Sequence, residues 1–479
     1  MDYKPTTQCV WFRTDLRIAD NPALSAALAN QEPTIALYVV SEAQWKKHHK
    51  SSIQIDLIKR RLLELEKELQ EINVPLIIVS CPWFKNTSEQ LTMLCNDLNI
   101  THLFANKEYE ADELARDADV RSQLTNIERH FYNAKCAVTV GKIINKTQKP
   151  YKVFTPFKKA WRAYFYQHFP TIEKVIPSVP LSEQQLSTLT SYLDRKFTSS
   201  MNNESKVWPV SNTAILKKMR LFCREKSQDY HDQRDYPAID GTSQISPYLA
   251  IGALSAKQCI LRLHLEANNQ LSQGQEIWLD ELIWREFYTH LLYFFPSLSK
   301  NHAFLDFEKH IQWNNKQDQF EQWCNGETGY PIVDAAMKQL NTTGWMHNRL
   351  RMITASFLVK DLHIDWRWGE QYFMSTLIDG DFASNNGGWQ WCASVGCDSS
   401  PYFRIFNPTT QSERFDNNGV FIKYWLPNLA ALLGKQLHQP SVKPLLKPDN
   451  YVDPIVDHSV QRLKTLELYK QAKIQDVAS

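Results

Sequence analysis

The spacing of hydrophobic residues divides the chain into two halves. Between residue 8 and about residue 135, short apolar runs alternate with helical patterns. The runs are CVWF, TIALYVV, PLIIV and THLFA, and their β-branched and aromatic residues are typical of buried strands. Over residues 51–71, leucine and isoleucine recur at three- and four-residue steps, which predicts an amphipathic helix. Strands that alternate with helices predict a parallel sheet with right-handed crossovers.

The first helix between these strands has a clear start signal. DNPALSAALAN begins with an Asp/Asn cap and places a proline in the first turn. The glycine-rich signatures of nucleotide binding are missing, because the chain contains no G-x-G and no Walker loop. We therefore predict a Rossmann-like α/β domain over residues 1–135 that does not bind a dinucleotide in the usual way. Its ligands would lie at the C-terminal ends of the strands.

A polar, serine-rich stretch follows, and residues 136–205 predict a long interdomain linker. Within it, residues 141–172 contain seven basic residues and no acidic one, with aromatic residues interleaved. Two interpretations stay open: a strip that faces phosphates, or a solvated linker with an aromatic anchor. The basic residues are Lys142, Lys146, Lys149, Lys152, Lys158, Lys159 and Arg162.

Residues 206–479 show a mostly helical pattern, which predicts an all-α domain. Residues 280–292 and residues 344–366 each predict a helix. Residues 380–396, GDFASNNGGWQWCASVG, suit no regular element. The two asparagines and two glycines at 385–388 predict a loop that lets the backbone approach a ligand closely, which Trp389 and Trp391 would then contact. Two core tryptophans after a tight turn are the alternative.

Composition narrows the class of protein. The chain has 479 residues and a net charge of +2, so any contact with nucleic acid requires a local patch. Its 15 tryptophans indicate a helical domain built around a large flat ligand. The nine cysteines include no C-x-x-C, so we expect neither a metal site nor a disulfide framework. MDYKPTTQ is unlike a signal peptide, and no apolar run reaches the ~18 residues of a spanning helix, which together predict a cytoplasmic protein.

Three stretches of the second half carry candidate binding groups. In DGTSQISPYLAIG, residues 240–252, Ser246 before a proline predicts a helix start capped by the serine. The free N–H groups of such a start, with the hydroxyls of Thr242, Ser243 and Ser246, can hold a phosphate.

The second stretch is the helix predicted over residues 280–292, where Glu281, Trp284 and Arg285 share one face. The glutamate could accept hydrogen bonds from a base edge while the indole stacks on the base. A surface ion pair between Glu281 and Arg285 is the alternative.

The third stretch pairs a basic helix with an acidic turn. A buried Arg351 needs a carboxylate, and the sequence LIDGDF supplies Asp379 and Asp381.

Taken together, these motifs resemble the photolyase/cryptochrome family. They run in family order over nearly the whole chain, and the resemblance is closest to the bacterial class I branch, the cyclobutane pyrimidine dimer photolyases. The motifs are WFRTDLRIADNPAL, DGTSQISPYLAIG, LIWREFY, TGYPIVDAAMKQL, GWMHNRLRM, IDGDFASNNGGWQW and PYFRIFNP.

The resemblance implies an N-terminal α/β domain, a linker, and a helical domain that binds FAD without a glycine fingerprint. It implies that Asn385 faces the flavin N5 and that Arg351 pairs with Asp379 beside the ring. The implied cofactor residues are Tyr230, Thr242, Ser243, Gln244, Ile245, Ser246, Arg351, Asp379, Gly380, Asp381 and Asn385.

The implied activity is light-driven repair of ultraviolet-damaged DNA by a monomeric enzyme. Reduced, anionic FAD donates an electron to a flipped-out pyrimidine dimer, which splits, and the electron returns. Trp389, Trp366 and Trp313 would form an electron relay that keeps the flavin reduced. The implied substrate and DNA residues are Arg234, Glu281, Trp284, Asn348, Arg349, Met352, Trp391 and Gln411.

An antenna chromophore is also implied, with methenyltetrahydrofolate expected and a deazaflavin as the alternative. The matching positions are His48, Asn106, Glu110 and Lys300. A cysteine usual beside the lysine is Ser299 here, which departs from the folate pattern.

Two other activities occur in the same family. A cryptochrome signals without repairing DNA, but its plant type carries aspartate where this chain has Asn385. Enzymes for six-four photoproducts carry histidine within the segment that is Asn348 to Met352 here. Both comparisons favour repair of pyrimidine dimers, with the photoreceptor as the alternative.

Overall fold

The computed structural model describes residues 6–172, 174–193, 204–442 and 447–478. The chain forms two compact units. The first, called the sheet unit, consists of Met1–Ser227 and Ser243–Lys300. The second, called the helical unit, consists of Gln228–Thr242 and Asn301–Ser479. The division at residues 135 and 205 rests on the sequence pattern and stays a prediction.

The sheet unit contains five parallel strands in the order β3-β2-β1-β4-β5. β1 is central, and its Val10 pairs with Ala36 on one side and with Phe104 on the other. The predicted α/β fold with a parallel sheet is confirmed. The strands are β1 (Thr7–Phe12), β2 (Thr34–Val40), β3 (Leu76–Ser80), β4 (Ile100–Asn106) and β5 (Glu128–Tyr132).

The fifth strand does not follow from the hydrophobic pattern. Its sequence is ERHFY, with one exposed and four half-buried positions. β5 lies at the edge of the sheet and pairs only with β4 among the described strands. An edge strand does not need the continuous apolar run that identifies a central parallel strand.

Several helices of the sheet unit pack against these strands. The two predicted near the N-terminus are confirmed: Asn21 caps the first and Ser51 caps the second, each accepting a backbone N–H. The helices are α1 (Pro22–Ala29), α2 (Glu42–Lys47), α3 (Ser52–Gln70), α4 (Thr87–Asp97), α5 (Ala111–Gln123), α6 (Phe154–Gln167), α7 (Glu183–Leu193), α8 (Asn212–Glu225), α10 (Ser246–Ala250), α11 (Ala256–Glu266) and α12 (Gln273–Phe294).

A buried ionic cluster lies just beyond the C-terminal ends of β1 and β4. Arg13 donates to both oxygens of Asp117, at 2.7 and 2.8 Å. Arg116 donates to Glu108 and to Asp117, each at 2.8 Å. All four side chains are buried. Burial alone would raise the pKa of Glu108, but the guanidinium groups of Arg116 and Arg13 bring that pKa down to about 2. The cluster therefore pairs opposite charges, although Nε and Nη2 of Arg13 have no hydrogen-bond partner among the described residues.

The described residues of the helical unit form helices and no strand, as the pattern from residue 206 predicts. Among the described helices of the chain, none is apolar over enough length to span a membrane. The α-helices of this unit are α9 (Tyr230–Gln233), α13 (Gln317–Asn325), α14 (Pro331–Thr343), α15 (Asn348–Lys360), α16 (Trp366–Thr376), α17 (Phe382–Cys392), α18 (Pro408–Phe415), α19 (Val420–Trp425), α20 (Lys435–His438) and α21 (His458–Ala478).

The single helix predicted over residues 344–366 is wrong at both ends. Gly344 has a φ of 67° and terminates α14, so no helix can begin there. His347 caps α15 by accepting the backbone N–H of Arg349. α15 ends at Lys360, and α16 begins at Trp366.

The loop predicted at residues 385–388 is also wrong, because these residues lie inside α17. Asp381 caps the helix by accepting the backbone N–H of Ser384 at 3.0 Å. Asn386 is buried and donates to the Glu370 carboxylate at 2.9 Å. A strong cap and a buried side-chain hydrogen bond outweigh the low helix propensity of two asparagines and two glycines.

The predicted linker contains two helices, α6 and α7, in its described part. α6 is amphipathic and buries four aromatic side chains, so the aromatic anchor is present. Residues 194–203 of the predicted linker lie outside the described residues. The buried aromatics are Phe154, Phe157, Trp161 and Phe165.

Candidate functional site

The predicted pair of Arg351 and Asp379 is present in the helical unit. Arg351 Nη2 donates to both oxygens of Asp379, at 3.0 and 2.8 Å, and Arg351 Nε donates to the Met346 carbonyl at 2.9 Å. The Asp379 side chain is 2% exposed and that of Arg351 is 25% exposed. A buried carboxylate thus holds a guanidinium that solvent or a ligand can still reach.

Asn385 lies one turn into α17, whose cap is Asp381. Its amide Nδ2 donates to the Glu370 carbonyl at 3.0 Å, which fixes the orientation of the carboxamide. Burial raises the pKa of Glu370 to about 7. The next residue, Asn386, donates to the Glu370 carboxylate, so a single residue of α16 positions both asparagines.

Two of the three predicted relay tryptophans are buried in the core of the helical unit. Trp366 is 0% exposed and Trp389 is 2% exposed, whereas Trp313 is half-buried and packs against the same core. Trp389 lies edge-on to Trp323, with ring centroids 6.1 Å apart. A Cβ on Gly369 would lie 2.0 Å from Trp389 Cη2, so only glycine allows this position of the indole.

One carboxylate connects the other two relay tryptophans. Oε1 of Glu308 accepts the indole N–H of Trp313 at 3.4 Å and that of Trp366 at 3.3 Å. Arg367 donates to the same carboxylate at 2.7 and 3.0 Å. The sequence gives little signal for Glu308, because Trp366 and Arg367 lie 58 and 59 residues away from it.

The predicted DNA-contacting arginines of the helical unit already have partners. Arg349 donates to Asp235 at 2.8 Å and lies 4.5 Å from the centre of the Phe415 ring. Arg234 lies 5.4 Å from the centre of the Tyr230 ring. Asp235 and the aromatic rings therefore orient these cations, and a phosphate would share them with existing contacts.

The remaining predicted substrate residues of the helical unit differ in exposure. Asn348, the first residue of α15, is exposed, whereas Met352 one turn later is half-buried. Trp391 is half-buried and packs against the core, and Gln411 lies half-buried in α18. These groups offer polar and apolar surfaces that a base could contact.

In the sheet unit, α12 carries Glu281, Trp284 and Arg285, all half-buried. Trp284 stacks on Phe154 with centroids 3.6 Å apart and planes 8° apart, so one face of the indole is covered. Arg285 donates to the carbonyls of Lys135 and Leu249, at 3.4 and 3.2 Å. The guanidinium is thus tied to the backbone of two other segments.

The segment predicted to bind phosphate starts a helix, but not in the predicted manner. α10 begins at Ser246, and Ile245 rather than the serine occupies the cap position. Ser243, Gln244 and Ser246 are half-buried, and Lys218 donates to the Gln244 side chain at 3.2 Å. The segment thus presents hydroxyl, amide and ammonium donors, which are groups that bind phosphates.

Two residues of the basic strip pair with α12. Lys158 donates to Asp280 at 2.9 Å, and Arg162 binds Asp280 at 2.7 Å and also Glu276. Their charges are therefore neutralised locally. The exposed residues of the strip are Lys142, Lys146, Lys149, Lys152 and Lys159.

Two of the four predicted antenna residues, His48 and Glu110, lie at the N-terminus of α5, and the chain neighbour of a third contacts it. Glu110 is its cap residue and accepts from Lys135 at 2.6 Å. The backbone N–H of Ala111 donates to the hydroxyl of Ser299, the neighbour of Lys300 in the chain, at 3.0 Å. His48 contacts two carboxylates that lie in the first turn of α5.

Those carboxylates are Asp112 and Glu113, which the sequence reasoning missed. The His48 Nε2 atom lies 2.9 Å from Asp112 Oδ2, and its Nδ1 atom lies 3.6 Å from Glu113 Oε1. Burial, followed by the charges of Glu110 and Glu108, raises the pKa of Glu113 to about 8. The available signal was the pair of acidic residues two and three positions after the predicted Glu110.

Asn106 has a different environment. It is 4% exposed and donates to Asp15 at 2.5 Å and to Asn21 at 2.7 Å, while its Oδ1 accepts the backbone N–H of Ala23 at 3.2 Å. These bonds link the end of β4 to the start of α1. The side chain is fully engaged in structure, which leaves it little capacity for a ligand.

Comparisons with known proteins agree with this arrangement. A family model described as the FAD binding domain of DNA photolyase matches residues 278–471, and one described as DNA photolyase matches residues 8–174. The chain is 49% identical to a deoxyribodipyrimidine photo-lyase of Vibrio cholerae, over 97% of this chain and 99% of the relative. It is 45% identical to one of Escherichia coli, over 98% of this chain and 99% of the relative.

Solved structures show the same fold. A class III photolyase from Agrobacterium tumefaciens superposes with a TM-score of 0.82 at 32% identity, covering 99% of both chains. A cryptochrome from Synechocystis superposes with a TM-score of 0.84 at 26% identity, covering 98% of this chain and 100% of the other.

Proposed function

Because the chain belongs to the DNA photolyase family, we propose that it is a light-driven repair enzyme that splits cyclobutane pyrimidine dimers in ultraviolet-damaged DNA. The observation that carries this proposal is the high identity, over nearly the full length, to relatives named deoxyribodipyrimidine photo-lyase. The match of the FAD binding domain supports FAD as the cofactor. We expect a cytoplasmic monomer.

The donor groups of the chain fit FAD. In the sheet unit, Ser243, Gln244 and Ser246 with Lys218 supply phosphate-binding donors. In the helical unit, the 25% exposed guanidinium of Arg351 and the oriented amide of Asn385 supply groups for a flavin ring. Reduced FAD, when bound, supplies the light-excited electron that cleaves the dimer. The further residues proposed to contact it are Tyr230, Thr242, Ile245, Gly380 and Asp381.

The protein's part in repair is to hold the dimer and exclude water. Trp284 would supply an apolar wall, since its other face is already fixed on Phe154. Glu281 would accept hydrogen bonds from a base edge. Asn348, Met352 and Trp391 would contact the extruded bases, and the arginines, with Gln411, would contact the DNA backbone.

A chain of tryptophans would supply electrons to oxidised flavin. Trp389 and Trp366 are buried in one core, and Trp313 is half-buried and open to reductants. Burial of the inner two indoles favours electron transfer, because little solvent must reorganise.

The sheet unit would hold an antenna chromophore at the N-terminus of α5. Glu113, whose pKa is raised to about 8, remains protonated at neutral pH and can both donate and accept hydrogen bonds. Such a group, beside His48 and Asp112, suits the amide and amine edge of a pterin. We favour methenyltetrahydrofolate on this ground, with a deazaflavin as the alternative.

The test is repair itself. The purified protein, with its flavin reduced by dithionite, is illuminated with blue light in the presence of an oligonucleotide containing a thymine dimer. Recovery of thymine absorbance that requires both light and protein is expected. A coloured flavoprotein that leaves the dimers intact would instead support a cryptochrome-like photoreceptor and refute repair.

A further inference from the structure

Glu308 occupies an unusual position between the two outer relay tryptophans. It lies in a short 3₁₀ helix, Asp306–His310, and is 7% exposed. Its Oε1 atom receives both indole N–H groups, at 3.4 Å from Trp313 and 3.3 Å from Trp366. A single negative charge therefore acts on two indoles at nearly equal distance.

The positive charge nearby is placed unequally. Arg367 is bound by Glu308 and also by Asp365, at 3.1 and 3.2 Å. Its guanidinium lies 4.6 Å from the centre of the Trp366 ring. A cation over an indole face stabilises the neutral ring and opposes removal of an electron from it. Among the described residues, no cation lies over the Trp313 ring.

We propose that Glu308 and Arg367 together direct the oxidised site of the relay outward, from Trp366 to Trp313. Glu308 favours a missing electron on either indole, and Arg367 opposes it on Trp366 only. One electron passes from Trp313 to oxidised Trp366, and no bond is made or broken. An external thiol then reduces Trp313. This inference rests on the proposed relay and adds its electrostatic control by two positioning residues.

The test measures the rate of flavin photoreduction in the holoenzyme under fixed illumination with dithiothreitol. Glu308→Gln keeps a hydrogen-bond acceptor but removes the charge, which leaves Arg367 paired with Asp365 alone. We expect the rate to fall by roughly tenfold, since one charge at this distance changes a local equilibrium by at least that factor. Repair after dithionite reduction should be unchanged, which shows that the variant is folded and holds FAD.

A charge-compensating variant separates electrostatics from structure. Glu308→Gln with Arg367→Gln restores the net charge that Glu308, Asp365 and Arg367 have together. If the charges matter, the double variant recovers part of the rate, because Trp366 loses its favourable and its opposing charge together, whereas the outward preference for Trp313 stays lost. If the contacts matter only for folding, it is worse than the single variant, and the inference is wrong.

Trp313→Phe, measured in parallel, distinguishes a wrong role for Glu308 from the absence of the tryptophan relay. Normal photoreduction in Glu308→Gln together with blocked photoreduction in Trp313→Phe refutes the role of Glu308 and leaves the relay standing. Normal photoreduction in Trp313→Phe refutes the relay and this inference with it.

A second, independent observation lies on the sheet. His102 of β4 pairs in register with Glu128 of β5, and His130 lies two residues beyond Glu128 on the same face. The Glu128 Oε2 atom lies 3.7 Å from His102 Nε2 and 3.4 Å from His130 Nε2. One potential ligand atom from each residue lies within 4.8 Å of the others.

These distances suit a divalent metal. Ligands bound at about 2.0–2.2 Å with tetrahedral angles lie roughly 3.3–3.5 Å apart, close to the two separations found here. Thr101 Oγ1 lies 2.9 Å from His102 Nδ1, a contact that orients the ring with Nε2 toward Glu128. The three side chains are 25%, 35% and 69% exposed, so a metal can enter and water can complete its coordination.

The geometry points to a Zn²⁺-type site of two histidines and one glutamate that would join β5 to β4. The cysteine spacing gave no signal for it, because its ligands lie on adjacent strands and include no cysteine. Nothing in the repair reaction requires this site, so its test is independent of the proposed function.

The test titrates the metal-free protein with Zn²⁺ and with Co²⁺, followed by calorimetry and by Co²⁺ absorption. We expect one saturable site and a higher melting temperature with metal. His130→Gln and Glu128→Gln should each weaken binding by roughly tenfold or more. His231→Gln is the matched control, since His231 lies 3.2 Å from Asp232 as a histidine–carboxylate pair. Equal affinity in His130→Gln and His231→Gln, or no saturable binding, would refute the site.

Discussion

The ionic cluster of the sheet unit and the tryptophan core of the helical unit are both buried, but they bury different kinds of side chain. In the cluster, Arg13 and Arg116 face Asp117 and Glu108 at 2.7 to 2.8 Å. In the core, the large side chains are uncharged indoles, and one carboxylate serves two of them. Buried charges need oppositely charged partners, so they fix structure, whereas buried indoles need few partners.

The largest expected effect comes from breaking the ionic cluster. Arg116→Met leaves Glu108 and Asp117 without one of their cations, so the free energy of unfolding should fall by about 3–5 kcal/mol. Denaturant unfolding measures it. Lys67→Met, which breaks the exposed Lys67–Glu64 pair, is the control and should leave the unfolding midpoint unchanged. Equal effects would show that the cluster is no more important than a surface pair.

Acid should weaken the cluster next. The pKa of Glu108 is about 2 in the folded protein and 4.5 ordinarily, so the carboxylate stabilises the fold at any pH above its unfolded pKa. This contribution, about 3 kcal/mol, should be lost as the pH falls from about 4.5 to 2. Glu108→Gln, which cannot ionise, should show a flatter acid limb in the same titration. An identical limb would mean that other carboxylates govern acid unfolding.

The tryptophan core should respond to shape rather than to charge. Gly369→Ala places a methyl group 2.0 Å from Trp389 Cη2, so the indole or the helix must shift. We expect a loss of about 1–3 kcal/mol and a changed tryptophan fluorescence spectrum. An unchanged spectrum and melting temperature would show that the indole has room that the packing does not indicate.

The smallest expected effect is an increase, rather than a decrease, in the free energy of unfolding. Gly388 lies inside α17, and a Cβ built there meets nothing within 4 Å. Gly388→Ala should therefore stabilise the protein by about 0.5–1 kcal/mol, because alanine is the better helix former. Thermal unfolding with a measured flavin content checks this. A loss of flavin would instead reveal that the ligand occupies this space.

Much of the sheet unit could be predicted from the sequence, because buried parallel strands are continuous apolar runs. The four apolar runs predicted β1 to β4, whereas ERHFY of β5 carries charges at an edge and lacks such a run. The NNGG segment was predicted to be a loop, but it lies inside a helix. Its helix depends on Asp381 at the cap and on Glu370, a residue from another helix.

In the candidate site, too, some residues could be predicted from the sequence and others could not. Charge alone predicted a carboxylate partner for Arg351 in the LIDGDF segment, and the family resemblance selected Asp379. The role of Glu308 could not be predicted, because its contacts with Trp366 and Arg367 join distant parts of the chain. The antenna role of Asn106 stays a prediction, and the structure adds that its side chain joins the end of β4 to the start of α1. Patterns along the chain report local structure well, and they report little about contacts between distant segments.

The polar edge strand has a consequence beyond its shape. An open sheet edge offers unpaired backbone groups to a neighbouring molecule and so invites aggregation, which charged side chains such as Glu128 and Arg129 of β5 discourage. Any engineering of this strand should therefore keep its side chains hydrophilic, because apolar replacements at the sheet edge would favour aggregation through that strand.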